Sequence, residues 1–421
     1  MTEAARPGTG PQDIAVIGAG IVGLATALTL QQDGHRVTLI DRLEPGAGTS
    51  FGNAGVISVS GITPVAYPGI WRDAPKMLLD PDSVLRMRWA YLPRALPWLL
   101  RFLAASTPAR VEEISRDMTP LVTRAFDAHD KLMRRHGIEG VVKRVGWLKV
   151  YPAEKAAGTK GDVALIRKYG LKVDELDADE LRQLEPGINR RYTHGVFSPD
   201  SGFASTPLKL SQAYAAAIRQ GGGKFVQGTV QGIAIGADGA PTIATDQGST
   251  RYDRAVIAAG AFSKPFAQMV GARVPLDTER GYHLYLKADQ ARAVGRPTYF
   301  GDHGFVLAPM EDGIRLTSGV EFAGLDAPPD YRRIRRMAAF ARDALPGLGD
   351  RPEREWMGFR PSLPDSKPVI GPAPASDRVT LAFGHGHLGL TLSAITASCV
   401  ADLIAGRASG VPLAPFAPTR F

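Results

Sequence analysis

The sequence predicts a mixed fold, α/β plus α+β, with parallel βαβ material interleaved with antiparallel sheet. Three observations predict it. A β-branched run, a glycine-rich turn, an apolar helix and a second apolar run follow one another near the N-terminus. Two more short apolar runs near 225 and 256 and an apolar helix near the C-terminus suit the same parallel layer. Between 274 and 321 several runs alternate in the manner of antiparallel strands.

Taken in order, Ile14-Ala-Val-Ile17 has the pattern of a buried strand. Gly18-Ala-Gly20-Ile21-Val22-Gly23 follows, then a helical pattern through Leu24, Ala27, Leu28 and Leu30 that Gly34 ends. Val37-Thr-Leu-Ile40 is the next strand, with Asp41 at its tip, completing one βαβ unit. Residues 85–136 read as helical and basic, and Pro93 and Pro97 are expected to break the stretch 85–106 into short helices. Residues 141–151 read as strands, 162–185 as polar helices and 207–219 as an amphipathic helix. Lys224-Phe225-Val226 opens a strand, and 252–260 is an apolar strand ending in glycine. The alternating runs HLYLKA, TYF, GFVLAP and IRLTSGVEF come next, then a helix over 331–345 and a last helix from about Leu388 to Ala405. There is no internal repeat.

Composition bounds the function. At 421 residues, 44% hydrophobic and 22% charged, the chain suits two globular domains and excludes a disordered or fibrous protein. The single cysteine, Cys399, excludes an internal disulfide and a polythiolate zinc site, and fits a reducing compartment. A net charge of +8 favours anionic ligands and surfaces. The polar start MTEAARPGTGPQ is expected to be a loose tail and not a secretory signal. No spanning helix is expected, because no stretch of 18 apolar residues is free of charge.

A G-x-G-x-x-G run alone is weak evidence, but here it leaves a strand, opens a helix and precedes an acidic residue at the next strand's tip. Gly18 permits the tight turn, Gly20 the close approach of a pyrophosphate, and Gly23 close packing of helix on strand. The helix N-terminus supplies a positive dipole end for phosphates. Asp41 suits a ribose hydroxyl, and its charge argues against a 2′-phosphate. This loop alone leaves FAD and NAD both open. The strand ending Ala258-Ala259-Gly260 is placed to close the same site.

Two further segments carry a resemblance. With Thr49-Ser50-Phe-Gly52-Asn53-Ala54-Gly55 and Gly384-His385-Gly386-His387-Leu388-Gly389-Leu390-Thr391, the chain resembles the small subunit of bacterial D-amino-acid dehydrogenases, in the D-amino-acid oxidase and glycine oxidase superfamily. The resemblance covers roughly residues 12–408. It implies a Rossmann-like FAD-binding domain, residues 12–90, 200–270 and 355–421, interleaved with an antiparallel-sheet substrate domain, residues 91–199 and 271–354. It implies that Gly18, Gly20, Ile21, Val22, Gly23, Asp41, Arg42, Thr49, Ser50, Asn53, Ala54, Gly55, Gly260, Gly384, His387, Leu388, Gly389 and Thr391 hold FAD. The final helix would aim its N-terminus at the flavin and stabilise negative charge there. No histidine lies between His35 and His129, and Cys399 falls within the last helix, so FAD is expected to be non-covalent. His385-x-His387 has no third ligand at suitable spacing, so no metal is expected.

On the substrate side, Gly358-Phe359-Arg360-Pro361 matches the superfamily segment whose arginine holds the substrate carboxylate, a task suited to a planar guanidinium fork. The following Pro364-Asp365-Ser366-Lys367-Pro368 also fits the family pattern. Tyr282 is expected to donate to that carboxylate and His283 to line the pocket, although neighbours on a strand point to opposite faces. Tyr299 and His303 are further candidates. No dedicated base is evident.

The expected function is oxidative deamination of a D-amino acid: hydride leaves Cα for flavin N5, and the imine hydrolyses to a 2-keto acid and ammonia. The resemblance implies that electrons pass to a quinone or other respiratory acceptor. Sarcosine, glycine or D-hydroxyproline oxidation is the same-class alternative. A remoter one is an RNA-modifying flavoprotein, against which the charge is scattered and no RNA motif occurs, so no nucleic-acid partner is expected. A cytoplasmic location is expected, with peripheral contact on the inner face of the plasma membrane through residues 85–106, where Trp89, Trp98 and leucines interleave with arginines.

Overall fold

The structure is a computed structural model that describes residues 10–288 and 294–421, so residues 1–9 of the expected tail lie outside it. A six-stranded sheet carries the N-terminal βαβ unit. Its spatial order is Lys224–Gln227, Arg36–Asp41, Asp13–Ile17, Arg254–Ile257, Ser376–Phe383 and Val369–Ala373. The first five are parallel, and the last folds back antiparallel on its neighbour. All four apolar residues Ile14–Ile17 are buried, as parallel strands covered on both faces require. Asp13–Ile17 has Arg36–Asp41 on one side and Arg254–Ile257 on the other, so strand order reverses at its carboxyl end. Open α/β sheets bind ligands at such a switch point, and the glycine loop begins there.

Helix Ile21–Gln32 packs on this sheet against the final helix, Gly389–Ala405, and that helix packs in turn on Pro108–Arg135. Gly386–Ala405 is long and apolar enough to cross a membrane, but two-thirds of it is buried inside the fold, as a core helix would be.

A nine-stranded sheet forms the second layer. Its path is Leu348–Ser362, Asp277–Ala288, Gly313–Phe322, Phe305–Met310, Thr298–Phe300, Trp147–Pro152, Tyr192–Ser198 and Asp174–Leu176, with Leu85–Met87 beside Gly313–Phe322. Pairing is antiparallel except at two junctions, Thr298–Phe300 with Trp147–Pro152 and Gly313–Phe322 with Leu85–Met87. Alternation sorts its faces. Leu148, Val150, Leu284, Leu286, Leu307 and Leu316 form a core with helix Arg332–Ala344. Trp147, Lys149, Tyr151, Tyr299, Val306 and Thr317 face a cavity on the other side.

Three features differ from the expectation. Leu85–Met87 is a strand, because its backbone completes the edge beside Val320–Phe322. Leu92–Ala105 is one continuous helix: Pro93 sits in its first turn, where no N–H is needed, and Pro97 removes a single hydrogen bond. Leu348–Ser362 is a strand paired along its length with Asp277–Ala288. It and Leu85–Met87 carry residues expected in the FAD-binding domain into the second sheet.

Candidate functional site

One cavity of about 890 Å³ is lined from both sheets. At its dinucleotide end, Gly18 has φ +105°, and a Cβ there would lie 2.5 Å from the Ala258 carbonyl oxygen. A Cβ at Gly23 would lie 1.9 Å from the Gly18 carbonyl oxygen. Helix Ile21–Gln32 has no acidic residue in its first turn, leaving its positive end free for an anion. Its Ile21 N–H donates to Ser50 Oγ at 2.9 Å, which ties the second glycine segment to the first. Asp41 accepts from Ala19 N–H at 2.7 Å and from Leu43 N–H at 2.9 Å. Its carboxylate is thus fixed at the cavity wall with lone pairs left for a ribose. Arg42 lies over the Phe262 ring, 4.3 Å from its centroid.

Of the residues expected to hold the cofactor, Gly18, Gly20, Ile21, Val22, Asp41, Arg42, Thr49, Ser50, Asn53, Ala54, Gly260, His387, Leu388, Gly389 and Thr391 line the cavity. Gly23, Gly55 and Gly384 do not, and each instead serves a close backbone approach. Gly23 packs helix on strand, Gly55 at φ +79° lies against Ala204, and Gly384 at φ +84° lies against Leu363.

The segment 49–55 is held from behind by contacts invisible in the sequence. Thr49 Oγ1 donates to the Phe359 carbonyl at 3.0 Å and accepts from Phe359 N–H at 3.2 Å, tying the loop to the strand that carries Arg360. Arg315 donates to the carbonyls of Phe51 at 2.9 Å and Asn53 at 2.6 Å. Thr391 Oγ1 accepts from Ser58 N–H at 3.1 Å and donates to the Val56 carbonyl at 3.2 Å, locking the start of the final helix to the same loop.

At the substrate end, Arg360 lines the cavity. Its guanidinium lies over Gly281, where a Cβ would come within 2.2 Å of Nη2, and Nη1 donates to the Gly319 carbonyl at 2.7 Å. Burial pulls its pKa below the ordinary value, against an opposing pull from Glu279. Glu279 is the direct cross-strand partner of Arg360 and accepts from His387 Nε2 at 3.0 Å. Burial pushes the Glu279 carboxyl up, but His387, Arg360 and Ser362 together hold it below the ordinary value.

Tyr282 and His283 take other roles than expected. Tyr282 is among the residues that line the cavity, and its side chain also packs in the core of the second sheet. Its hydroxyl donates to Glu321 and accepts from Asp330 N–H, so it does not present a donor to a carboxylate, and burial raises its pKa to about 12. His283 is buried, stacked on Trp356 with centroids 5.0 Å apart, and directed at the Gly52 carbonyl at 3.4 Å. It supports the 49–55 segment from below and does not line the cavity; burial lowers its pKa to about 3. Tyr299 lines the cavity, whereas His303 stacks on Phe340 away from it.

His385 turns to Thr396 Oγ1 at 3.0 Å, and among the described residues no group of three His, Cys, Asp or Glu converges as metal ligands. Cys399 is buried in the last helix, outside the cavity lining. The glycine turn with φ > 0, the unopposed helix start and the fixed Asp41 fit a dinucleotide, and the cavity continues past Gly260 and the 49–55 segment to Arg360 with room for a flat ring system.

Comparison with known proteins agrees. The family model described as FAD dependent oxidoreductase matches residues 13–403. A D-amino-acid oxidase of Bradyrhizobium diazoefficiens is 38% identical over 97% of this chain and 98% of its own. A D-amino acid dehydrogenase of Mesorhizobium japonicum is 32% identical over 94% of this chain and 96% of its own. Among solved structures, glycine oxidase from Geobacillus kaustophilus superposes with TM-score 0.78 at 21% identity, covering 98% of this chain and all of its own. L-proline dehydrogenase from P. horikoshii gives 0.76 at 19%, covering 98% of each; at such identities the likeness concerns the fold. With a match that runs from the first strand of the parallel sheet into its last helix, the chain belongs to the FAD dependent oxidoreductase family.

Proposed function

We propose that this protein oxidises D-amino acids at Cα, giving an imine that water hydrolyses to a 2-keto acid and ammonia. One observation carries the reading: a dinucleotide cradle and the Arg360 guanidinium, which suits a carboxylate, open into one continuous cavity. Relatives named D-amino-acid oxidase and D-amino acid dehydrogenase, matched over nearly the whole chain, support the substrate class. Bound FAD supplies the two-electron acceptor for the hydride leaving Cα.

The protein's own part is orientation and electrostatics. The Arg360 fork engages both carboxylate oxygens and fixes the Cα–H direction. Its hydrogen bond to the Gly319 carbonyl keeps the guanidinium from swinging away. Arg280 donates to the Gly324 carbonyl at 2.7 Å and so holds the loop whose Leu325 covers the cavity. Exclusion of water strengthens each charge inside.

The acceptor that reoxidises FAD is proposed to be a quinone, reached at a membrane surface from the cytoplasmic side. Support comes from the exposed side chains of one segment. Trp71, Leu79, Trp89, Leu96, Leu100 and Leu103 are exposed on the segment 70–105 together with Arg72, Lys76, Arg94 and Arg101. Val65 and Val84, nearby in the chain, line the cavity. Such a face suits anionic lipid headgroups.

Purified protein tests the reading. Acid precipitation should release yellow colour into the supernatant if FAD is non-covalent. Anaerobic bleaching by a panel of D-amino acids, with sarcosine, glycine and D-hydroxyproline as competitors, should rank a D-amino acid first. Bleaching by sarcosine or glycine alone would replace the substrate assignment.

A further inference from the structure

An amino acid arrives with a protonated amine, and hydride cannot leave Cα until nitrogen has a lone pair to form the C=N bond. The sequence offers no evident base. The structure brings one together from two distant segments.

His387 lies in the short turn Gly386–Leu388 ahead of the final helix, and it lines the same cavity as Arg360. Its side chain is 39% exposed, whereas that of Glu279, 3.0 Å from its Nε2, is 4% exposed. A carboxylate only accepts, so the Nε2–H of His387 is committed to Glu279. Nδ1 has no protein partner among the described residues and is the ring nitrogen left to meet a substrate. Glu279 sits directly across the strand pair from Arg360, which places the histidine beside the carboxylate clamp. The same logic of an acid-oriented imidazole runs through hydrolytic and metal sites.

We propose that His387 is a catalytic residue, its Nδ1 taking the proton from the substrate ammonium, and that Glu279 is the positioning residue that fixes its tautomer. The proposal rests on the amino-acid oxidation reading above. The substrate N–H bond breaks and an Nδ1–H bond forms. The freed lone pair then becomes the second C–N bond as hydride leaves Cα for FAD, and the imidazolium returns its proton to water once product departs. The charged groups around the pair are few. Arg360 faces it from across the strand, and Asp277 lies two residues along the strand of Glu279, accepting from Tyr91 at 2.8 Å. Lys264, from helix Ser263–Met269, acts on Asp277, and His385 turns away to Thr396.

The test uses FAD-loaded protein and anaerobic single-turnover reduction by D-alanine across pH, on wild type, His387→Gln and Glu279→Gln. Wild type should reach its plateau well below the pH at which the free amine of D-alanine deprotonates. His387→Gln should be slower by on the order of 10²–10⁴-fold at neutral pH and should rise about tenfold per pH unit toward the free amine's own ionisation. Its affinity for benzoate, a carboxylate without an amine, should stay unchanged, because Arg360 is intact. Nitrogen-15 spectra should show the Nε2–H tautomer of His387 in wild type and a mixed population in Glu279→Gln. A His387→Gln profile superimposable on wild type would overturn the proposal. So would a mixed tautomer in wild type. Wild type that no D-amino acid reduces would instead overturn the functional reading beneath it.

Discussion

At the scale of single residues, Arg360 carries the argument from structure to substrate. Its guanidinium is backed by Gly281 and anchored on Gly319, so the free edge of a planar fork faces the cavity. Lysine keeps the charge but not the paired geometry. Arg360→Lys is therefore expected to lower kcat/KM for a D-amino acid by about 1.5–3 kcal/mol, roughly 10–150-fold, with the visible FAD spectrum retained; an unchanged kcat/KM would remove Arg360 from carboxylate binding. Arg360 was legible in the sequence because its neighbours form a recognisable segment. Tyr282 and His283 were legible only as neighbours of a site: strand alternation sends the Tyr282 hydroxyl to Glu321, and Phe51 and Trp356 close over His283. Glu279 and Arg315 gave no signal, since each works through a partner far away in the chain, His387 and the Phe51 carbonyl respectively.

At the scale of elements, the βαβ unit was readable because its strands are continuous β-branched runs and its turn needs glycine at fixed places. Gly23 gives the sharpest test. A methyl there meets the Gly18 carbonyl at 1.9 Å, so Gly23→Ala must push the helix off the strand and shift the loop that faces the pyrophosphate. Overpacking of this kind costs about 1–3 kcal/mol, and FAD affinity, read from quenching of flavin fluorescence, is expected to fall by at least about tenfold. An unaltered affinity would mean that the turn does not cradle the cofactor. The elements missed share a cause. Ser376–Phe383 is set by pairing with Arg254–Ile257 and Val369–Ala373, among prolines, by pairing back on Ser376–Phe383, and Leu85–Met87 is too short to show periodicity. The edges of the two expected domains blur for the same reason, because Leu348–Ser362 belongs to the second sheet through pairing alone.

At the scale of the whole molecule, three histidines are buried where two layers meet. His129 Nε2–H donates to the Leu390 carbonyl at 2.8 Å, His283 lies under the 49–55 segment, and His385 faces Thr396. Burial lowers their pKa values to about 4, 3 and 4 respectively. The unfolded chain binds these protons at higher pH than the folded one, so stability falls as pH drops below the ordinary histidine value of about 6.5 and continues to fall toward about 4. Each histidine contributes up to about 1.4 kcal/mol per pH unit in that window. Tm measured from pH 7 to 4.5 should decline steadily, and His129→Gln should flatten the decline; a pH-independent Tm would show that these rings are not held neutral. The exposed apolar and basic face over residues 70–105 predicts salt-sensitive co-sedimentation with anionic vesicles, and none with neutral ones. Failure to sediment at low salt would leave that face without a lipid role.

The most direct test of the whole account is the anaerobic rate of flavin bleaching by the two enantiomers of alanine. With substrate held by Arg360 and FAD in the cradle of the same cavity, as proposed, only one face of Cα would meet the flavin, and the relatives named for D-amino acids give the hand. Rapid bleaching by D-alanine, and none by L-alanine on the same time scale, is the expected result. Equal rates for the two, or bleaching by L-alanine alone, would contradict it.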